Sequence, residues 1–501
     1  MSRDVGHAVR DTRPRATAIG ILLALGAIKV VVHVTTDGNI GYHQDELYYL
    51  DSARHPQLGY VDYPPLTPMV ARLAGALFDG SVVGLRLFAA LAGAAVVVLT
   101  GQIAAELGGG RRAQVLAGLA ALTAPMLLDA NWLFQTVSFD QLFWMGSLYV
   151  MARILRTGQP RLWLLLGALL GLGLETKYTV LALCAGIAVA TVTARRLRAM
   201  LLTPYPWLGA LVAAALWAPN VWWQAANGWP TLDYIRGHSA DISSSGGVVA
   251  FLLDLLLLGP LLVPLWLVGW WELLHARALR PLGVAALVTF ALLLPNGKAY
   301  YVGPLFPLVL AAAAVAADRF ATQRSRRWPV RLVVGLLVAD ALLPLPIGIP
   351  VLPQSVIVNW HLDSVRKDFS DSIGWPEVAA EVAGAWRRLP LSERRHAVIL
   401  ARYYAEAGAV DRFGPALALP EALSPHLTYW YWKPATTDAQ TAIVVGYTAT
   451  EMRRLFRDVV QTATLSNAEG VHNEAWGLPV LTCRQPRESL DAAWLSLRHF
   501  G

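Results

Sequence analysis

The chain has 501 residues, 55% of them hydrophobic and only 15% charged, with 19 tryptophans and a net charge of +7. On a soluble-protein scale that length suggests about three domains of roughly 150 residues each, but long Leu/Ala/Val runs point to a polytopic membrane protein, in which one span takes about 20 apolar residues. The arginines lie between the apolar runs, so the positive charge reads as a positive-inside signal and not as a nucleic-acid footprint.

Four arginines precede the first apolar run, 17–34, and no small-residue cleavage site follows it, so it is expected to persist as a helix and not to leave as a signal peptide. Further runs lie at 82–104, 114–130, 138–155, 161–174, 179–194, 205–223, 248–271, 281–294, 300–318 and 330–349. They give about 11 expected transmembrane helices, with 161–174 and 281–294 short for a full span. With the N-terminus cytoplasmic, alternate connections should be basic. They are: Arg111 and Arg112; Arg153, Arg156 and Arg161; Arg195, Arg196 and Arg198; Arg277 and Arg280; and "RSRRWPVR" at 324–331. The remaining connections, at 35–80, 129–135, 175–178, 219–234 and 295–301, then face outward from a plasma (inner) membrane, and an odd number of spans leaves the C-terminus outside. Tryptophans 207, 217, 222, 223 and 229 fall where an aromatic belt belongs. Cys184 lies in an apolar run and Cys483 near the C-terminus, which provides no disulfide framework.

After about residue 350 the character changes. "GWPEVAAEVAGAWRRLP" (374–390) reads as an amphipathic helix; "HAVILA", "TAIVVGY" and "DVVQTATL" read as strands; "TEMRRLFRDV" (450–459) reads as a helix between the last two. The expected organisation is a transmembrane domain, 1–349, and a small extracytoplasmic α/β domain, 350–501, with Gly374 and Gly477 at turns.

The first outer connection stands apart. "GYHQDELYYLDSARHPQLGYVDYPPL" (41–66) crowds carboxylates and tyrosines beside a membrane helix, which a merely solvated loop does not require. Residues 43–55 have helical composition, and the adjacent Asp45 and Glu46 would point about 100° apart on a helix. One carboxylate is then expected to face a cavity while the other braces it or contacts a metal. Asp51 reads as plain helix surface. "DYPPL" forces an extended path, and "LTPMVARLAGALF" follows as a second interfacial amphipathic helix.

"HQDELYYL" followed by "GYVDYPPLTPMVARL" resembles the first outer loop of the polyprenyl-phosphate-sugar glycosyltransferases of superfamily C, the GT-C clan of protein O-mannosyltransferases and of the aminoarabinose transferases that modify lipid A. The likeness runs on through "GLETKY", "PNVWWQAANGWP" and "NGKAYY" to "EAGAVDRFGP". It implies a GT-C type fold and inverting transfer of a sugar from a polyprenyl-phosphate donor to an envelope acceptor: protein, glycolipid or cell-wall glycan. An outer-loop aspartate, matched by Asp45, would serve as base. In the aminoarabinose transferases a phosphate-contacting lysine precedes the loop proline; Tyr63 stands there in this chain. Asp62 matches an acidic position of those relatives and takes a supporting role.

Elementary chemistry asks for the same parts. An acceptor hydroxyl loses its proton as it attacks the anomeric carbon, which suits a positioned carboxylate, Asp45, with Glu46 beside it. The departing lipid phosphate gathers negative charge and needs cations placed in advance. Lys177 in "ETKY", Lys298 in "NGKAYY" and Arg86 at the outer end of the second run are the candidates, together with Tyr301. His43, Tyr63 and Tyr300 join Asp62 as supporting residues. The plainer alternatives are a Lys177–Glu175 pair and a Lys298 that only reaches for the interface. No cofactor is otherwise called for, although a hard divalent cation would suit Asp45 and Glu46, with His43 at i,i+3 from Glu46. Intramembrane polar residues are Lys29, His33, Asn131, Gln135 and Asp140, with Asp140 expected to pair with Lys29, while Asp254 and Asp340 have no assigned role. The rivals are a transporter or lipid flippase, against which the one-sided clustering of charge and the lack of inverted repeats both count, and a non-catalytic envelope scaffold.

Overall fold

The computed structural model describes residues 17–244, 247–257, 259–296, 298–325, 328–342, 345–437 and 439–500. The four N-terminal arginines and residues 326–327 of the last basic connection lie outside these. Each expected apolar run is occupied by a helix or a broken helix pair. In chain order these are α1 (Ile19–Thr36), α2 (Gln44–Arg54), α3 (Leu66–Phe78), α4 (Val82–Glu106), α5 (Arg111–Thr123), α6 (Pro125–Trp132), α7 (Thr136–Thr157), α8 (Leu162–Leu174), α9 (Val180–Thr193), α10 (Arg195–Met200) and α11 (Tyr205–Ala226). They continue with α12 (Pro230–Ser244), α13 (Gly247–Leu257), α14 (Val263–His275), α15 (Arg280–Leu293), α16 (Phe306–Gln323) and α17 (Trp328–Leu342). Among the described residues, three helices are long and apolar enough to cross a membrane: Ile19–Asn39, Val82–Glu106 and Ala299–Gln323, or five if each bent pair counts as one. The other expected spans are held by shorter or less apolar helices.

Close crossings hold the bundle together, as small residues allow in membrane proteins. A Cβ on Gly167 of α8 would lie 2.0 Å from the carbonyl oxygen of Gly209 in α11, so these two backbones touch. Helices α2 and α3 both form in the connection between the first two apolar runs, at 35–80. On α3, Met69, Leu73 and Leu77 leave an exposed apolar stripe, the form of an interfacial helix. The tryptophans divide: 207, 222 and 229 are exposed, whereas Trp223 is buried against Tyr431.

The C-terminal part carries a five-stranded sheet in the order β2-β1-β3-β5-β4, where β1 is Ala397–Ala401, β2 Ala422–Leu423, β3 Thr441–Val445, β4 Phe456–Thr464 and β5 Pro479–Pro486. The first three strands run parallel, and β5 is antiparallel to β3 and β4. The amphipathic helix forms at Trp375–Arg388, burying Trp375, Val378, Val382 and Trp386. Gly374 and Gly477 both adopt positive φ, +94° and +79°, as turn residues. "TEMRRLFRDV" is not the expected helix. Helix occupies only Ala449–Met452; from Phe456 the segment is strand, because Phe456 is buried and Asp458 and Val459 pair with Arg484 and Cys483 of β5. Tertiary pairing overrides local helix preference there.

Candidate active site

Helix α2 places the two neighbouring carboxylates in opposite settings. His43 caps it: the Asp45 amide donates to His43 Nδ1 at 3.2 Å, and the His43 amide donates to Glu46 Oε2 at 2.9 Å, a reciprocal capping box. Glu46 is fully buried and also accepts Arg86 Nε at 2.8 Å, Arg86 Nη2 at 2.7 Å and the Phe134 amide at 2.9 Å. Arg86 spends its remaining donors on the Asp37, Ile40 and Gly41 carbonyls. Two expectations are corrected here. Arg86 is not a phosphate ligand and Glu46 is not a reacting group, because each neutralises the other inside the protein. Glu46 therefore has no lone pair left to share an ion with Asp45. Among the described residues, no group of three or more His, Cys, Asp or Glu side chains could hold a metal.

Asp45 is open where Glu46 is closed. Its side chain is 39% exposed and lines a cavity of about 330 Å³ together with Asp62, Tyr63, Lys177, Lys298, Tyr300 and Tyr301. Seven sequence candidates, from three separate connections, thus meet in one space. Lys177 makes no ion pair with Glu175 among the described residues. Its ammonium sits 4.5 Å from the Tyr301 ring centroid and 5.0 Å from that of Tyr300, in cation–π contact. Burial lowers the Lys177 pKa, opposed by Tyr301 and Asp140; an anion in the cavity would favour its charged form. Asp62 accepts Tyr48 Oη at 3.0 Å, and burial pushes its carboxyl up to about 7. Tyr63 is buried and shares a 2.7 Å hydrogen bond with Ser52, so it shapes the wall as a neutral group.

Two residues from the far end of the chain complete the site. The Tyr404 hydroxyl donates to Asp45 Oδ1 at 2.7 Å, and His426 lines the same cavity. Tyr404 stacks between Tyr48 and His426, with centroids 4.9 Å and 5.4 Å away. It opens the helix Tyr404–Phe413, which lies directly on α2: a Cβ on Gly408 would come within 2.8 Å of Leu47 Cβ, so only glycine permits this approach. "EAGAVDRFGP" held the signal, since it belongs to this helix, but the tyrosine ahead of it gives no sign of its partner. Asp51 also departs from expectation. It is buried, accepts from Tyr429 Oη and pairs with Arg54 at 3.2 Å, and burial pushes its carboxyl up to about 7. Asp140 does not pair with Lys29: it accepts Trp144 Nε1 at 2.8 Å and Thr179 Oγ1 at 3.0 Å, while Lys29 donates to the Leu127 carbonyl at 2.7 Å.

Residues 62–223 match a family model described as dolichyl-phosphate-mannose-protein mannosyltransferase. The crystal structure of ArnT from Cupriavidus metallidurans bound to undecaprenyl phosphate aligns at 17% identity and a TM-score of 0.59, covering 93% of this chain and 98% of that one. The chain resembles the superfamily C polyprenyl-phosphate glycosyltransferases. ArnT in its apo state aligns at 16% identity and a TM-score of 0.62 over the same shares of both chains. This likeness establishes the ArnT fold, a polytopic helical membrane protein with a small sheet. The family match begins at Asp62 and includes Lys177, whereas Asp45, Lys298 and Tyr404 fall outside it. No curated protein matches the chain by sequence.

Proposed function

We propose that the protein is a membrane glycosyltransferase that moves a sugar from a polyprenyl-phosphate donor to a hydroxyl of an envelope acceptor at the outer face of the plasma membrane, with inversion and with Asp45 as base. One observation carries this reading: an accessible carboxylate, Asp45, shares one cavity with two lysines, Lys177 and Lys298. The match to an ArnT structure bound to undecaprenyl phosphate supports the donor class. In this reading about 11 spans, with the N-terminus cytoplasmic, make up a transmembrane domain of residues 1–349, and an extracytoplasmic domain of residues 350–501 closes the site from outside.

The chemistry balances with these parts. Tyr404 holds Oδ1 of Asp45, leaving Oδ2 to take the acceptor proton. The acceptor oxygen forms its bond to the anomeric carbon as the bond from that carbon to the phosphate oxygen breaks. The electron pair leaves with the polyprenyl phosphate, whose growing charge meets Lys177 and Lys298, cations fixed before the reaction starts. Attack from the side opposite the phosphate inverts the anomeric centre. The test is reconstitution of the full chain in lipid with polyprenyl-phosphate mannose, aminoarabinose or galactose. Acceptor-dependent release of polyprenyl phosphate from one of these donors is expected; release from none would overturn the reading.

A further inference from the structure

A second cavity, of about 280 Å³, opens on the other side of Asp45. It shares Asp45, Gln135, Val137 and Tyr300 with the lysine-lined cavity, but its charge is opposite. No lysine or arginine lines it, whereas Asp45, Asp129 and Asp368 do. Arg366, beside this wall, is already engaged by both Asp129 and Asp368, with a 2.6 Å contact to the latter. Burial opposes ionisation of Asp368, yet Arg366, His43 and Lys367 together outweigh it and hold that carboxyl below the usual carboxylate range. The lining itself thus presents three carboxylates and, among the described residues, no lysine or arginine.

Two further side chains point to a ligand here. Gln141 is only 1% exposed, lines the cavity, and neither end of its amide has a hydrogen-bond partner among the described residues. His43 Nε2, also buried and lining the cavity, makes no hydrogen bond among the described residues and lies 3.8 Å from Asp368 Oδ1. A buried amide left without partners costs free energy that a polar ligand would recover. An amide offers a donor and an acceptor, and carboxylates accept from hydroxyls; such a wall suits several neighbouring hydroxyl groups. The volume sits near the lower end of ligand pockets, roughly 300 Å³, which favours one compact ring over a long chain.

We infer that this cavity is the acceptor subsite and that it takes an uncharged sugar residue, rejecting phosphorylated ones. The inference rests on the glycosyl-transfer reading above, since it needs a donor on the lysine side of Asp45. It divides the site by charge: the lysines face the phosphate that leaves, and the carboxylates face the hydroxyl that attacks, with Asp45 between them.

The test uses the full chain in lipid nanodiscs, whichever donor releases polyprenyl phosphate, and two probes, octyl α-mannoside and its 6-phosphate. Glycosylation of the neutral probe, read by mass spectrometry, is expected to run at least tenfold faster. Gln141→Ala should raise KM for octyl mannoside about tenfold without moving the donor KM, which also shows that the variant is folded. Asp368→Asn should shrink the preference against the 6-phosphate by threefold or more. Equal use of both probes, modification of neither despite donor release, a donor-side effect of Gln141→Ala, or an unchanged preference in Asp368→Asn would each overturn the inference while leaving the transferase reading standing. Absence of donor release would instead remove that reading, and this one with it.

Discussion

Helix α2 is held along two seams that use the same residue types to different effect. The inner seam, against the membrane helices, is the Glu46–Arg86 pair, both side chains almost wholly out of solvent and every guanidinium nitrogen engaged. The outer seam, against the sheet domain, is a looser cluster: Arg54, 40% exposed, reaches Asp51, Asp411 and Glu421 at 3.2, 3.6 and 3.1 Å. Burial decides what each charge is worth. In a dry site, removing one partner strands the other; at the surface, water and salt replace it cheaply. The inner seam fixes where Asp45 stands, and the outer seam brings up the domain that supplies Tyr404.

Substitutions separate the two seams. Arg86→Ala should have the largest effect, a loss of about 3–5 kcal/mol as Glu46 is left buried and unpaired, seen as a collapse of the thermal unfolding midpoint in detergent. Arg86→Lys should rescue little, because an ammonium cannot reproduce the two-pronged contact. Tyr404→Phe removes a hydrogen bond to a carboxylate worth about 1.5–3 kcal/mol. We expect kcat to fall tenfold or more with donor KM unchanged. A kcat within threefold of wild type would reduce Tyr404 to packing.

Smaller effects lie on the outer seam. The folded-state pKa of Asp51, about 7, lies above its ordinary value, so the fold holds this proton more tightly than the unfolded chain does. Its contribution is therefore present at low pH and lost as pH rises from about 4 toward 7. Wild-type protein should lose thermal stability relative to Asp51→Asn between pH 5 and pH 8; parallel profiles would refute this. Glu421→Ala, at the exposed rim, should shift stability by less than about 0.5 kcal/mol.

Much of this arrangement was legible in the sequence, and the limits have physical reasons. Asp45, Lys177 and Lys298 were found together because loop parity puts them on one side and motif likeness selects among them. Arg86 misled because an arginine at a helix end looks the same whether it greets a phosphate or a buried glutamate; only the fold shows that Glu46 is within reach. Asp51 misled for the same reason, its burial being supplied by Tyr429 from 378 residues away. Tyr404 and His426 were invisible because their role depends on a sheet domain seated on α2, and only the first residues of β4 fell in a segment whose composition favours helix, the rest of that strand being legible as "DVVQTATL". Local pattern identifies elements; it does not show which faces they bury.

Whether Asp45 takes the acceptor proton is measured directly by single-turnover transfer by Asp45→Asn beside wild type, with donor affinity measured on the same preparations. Transfer should fall by at least a thousandfold while polyprenyl-phosphate binding stays within threefold, a loss of about 4 kcal/mol confined to the transition state. Turnover within tenfold of wild type, with the donor bound normally, would contradict that role.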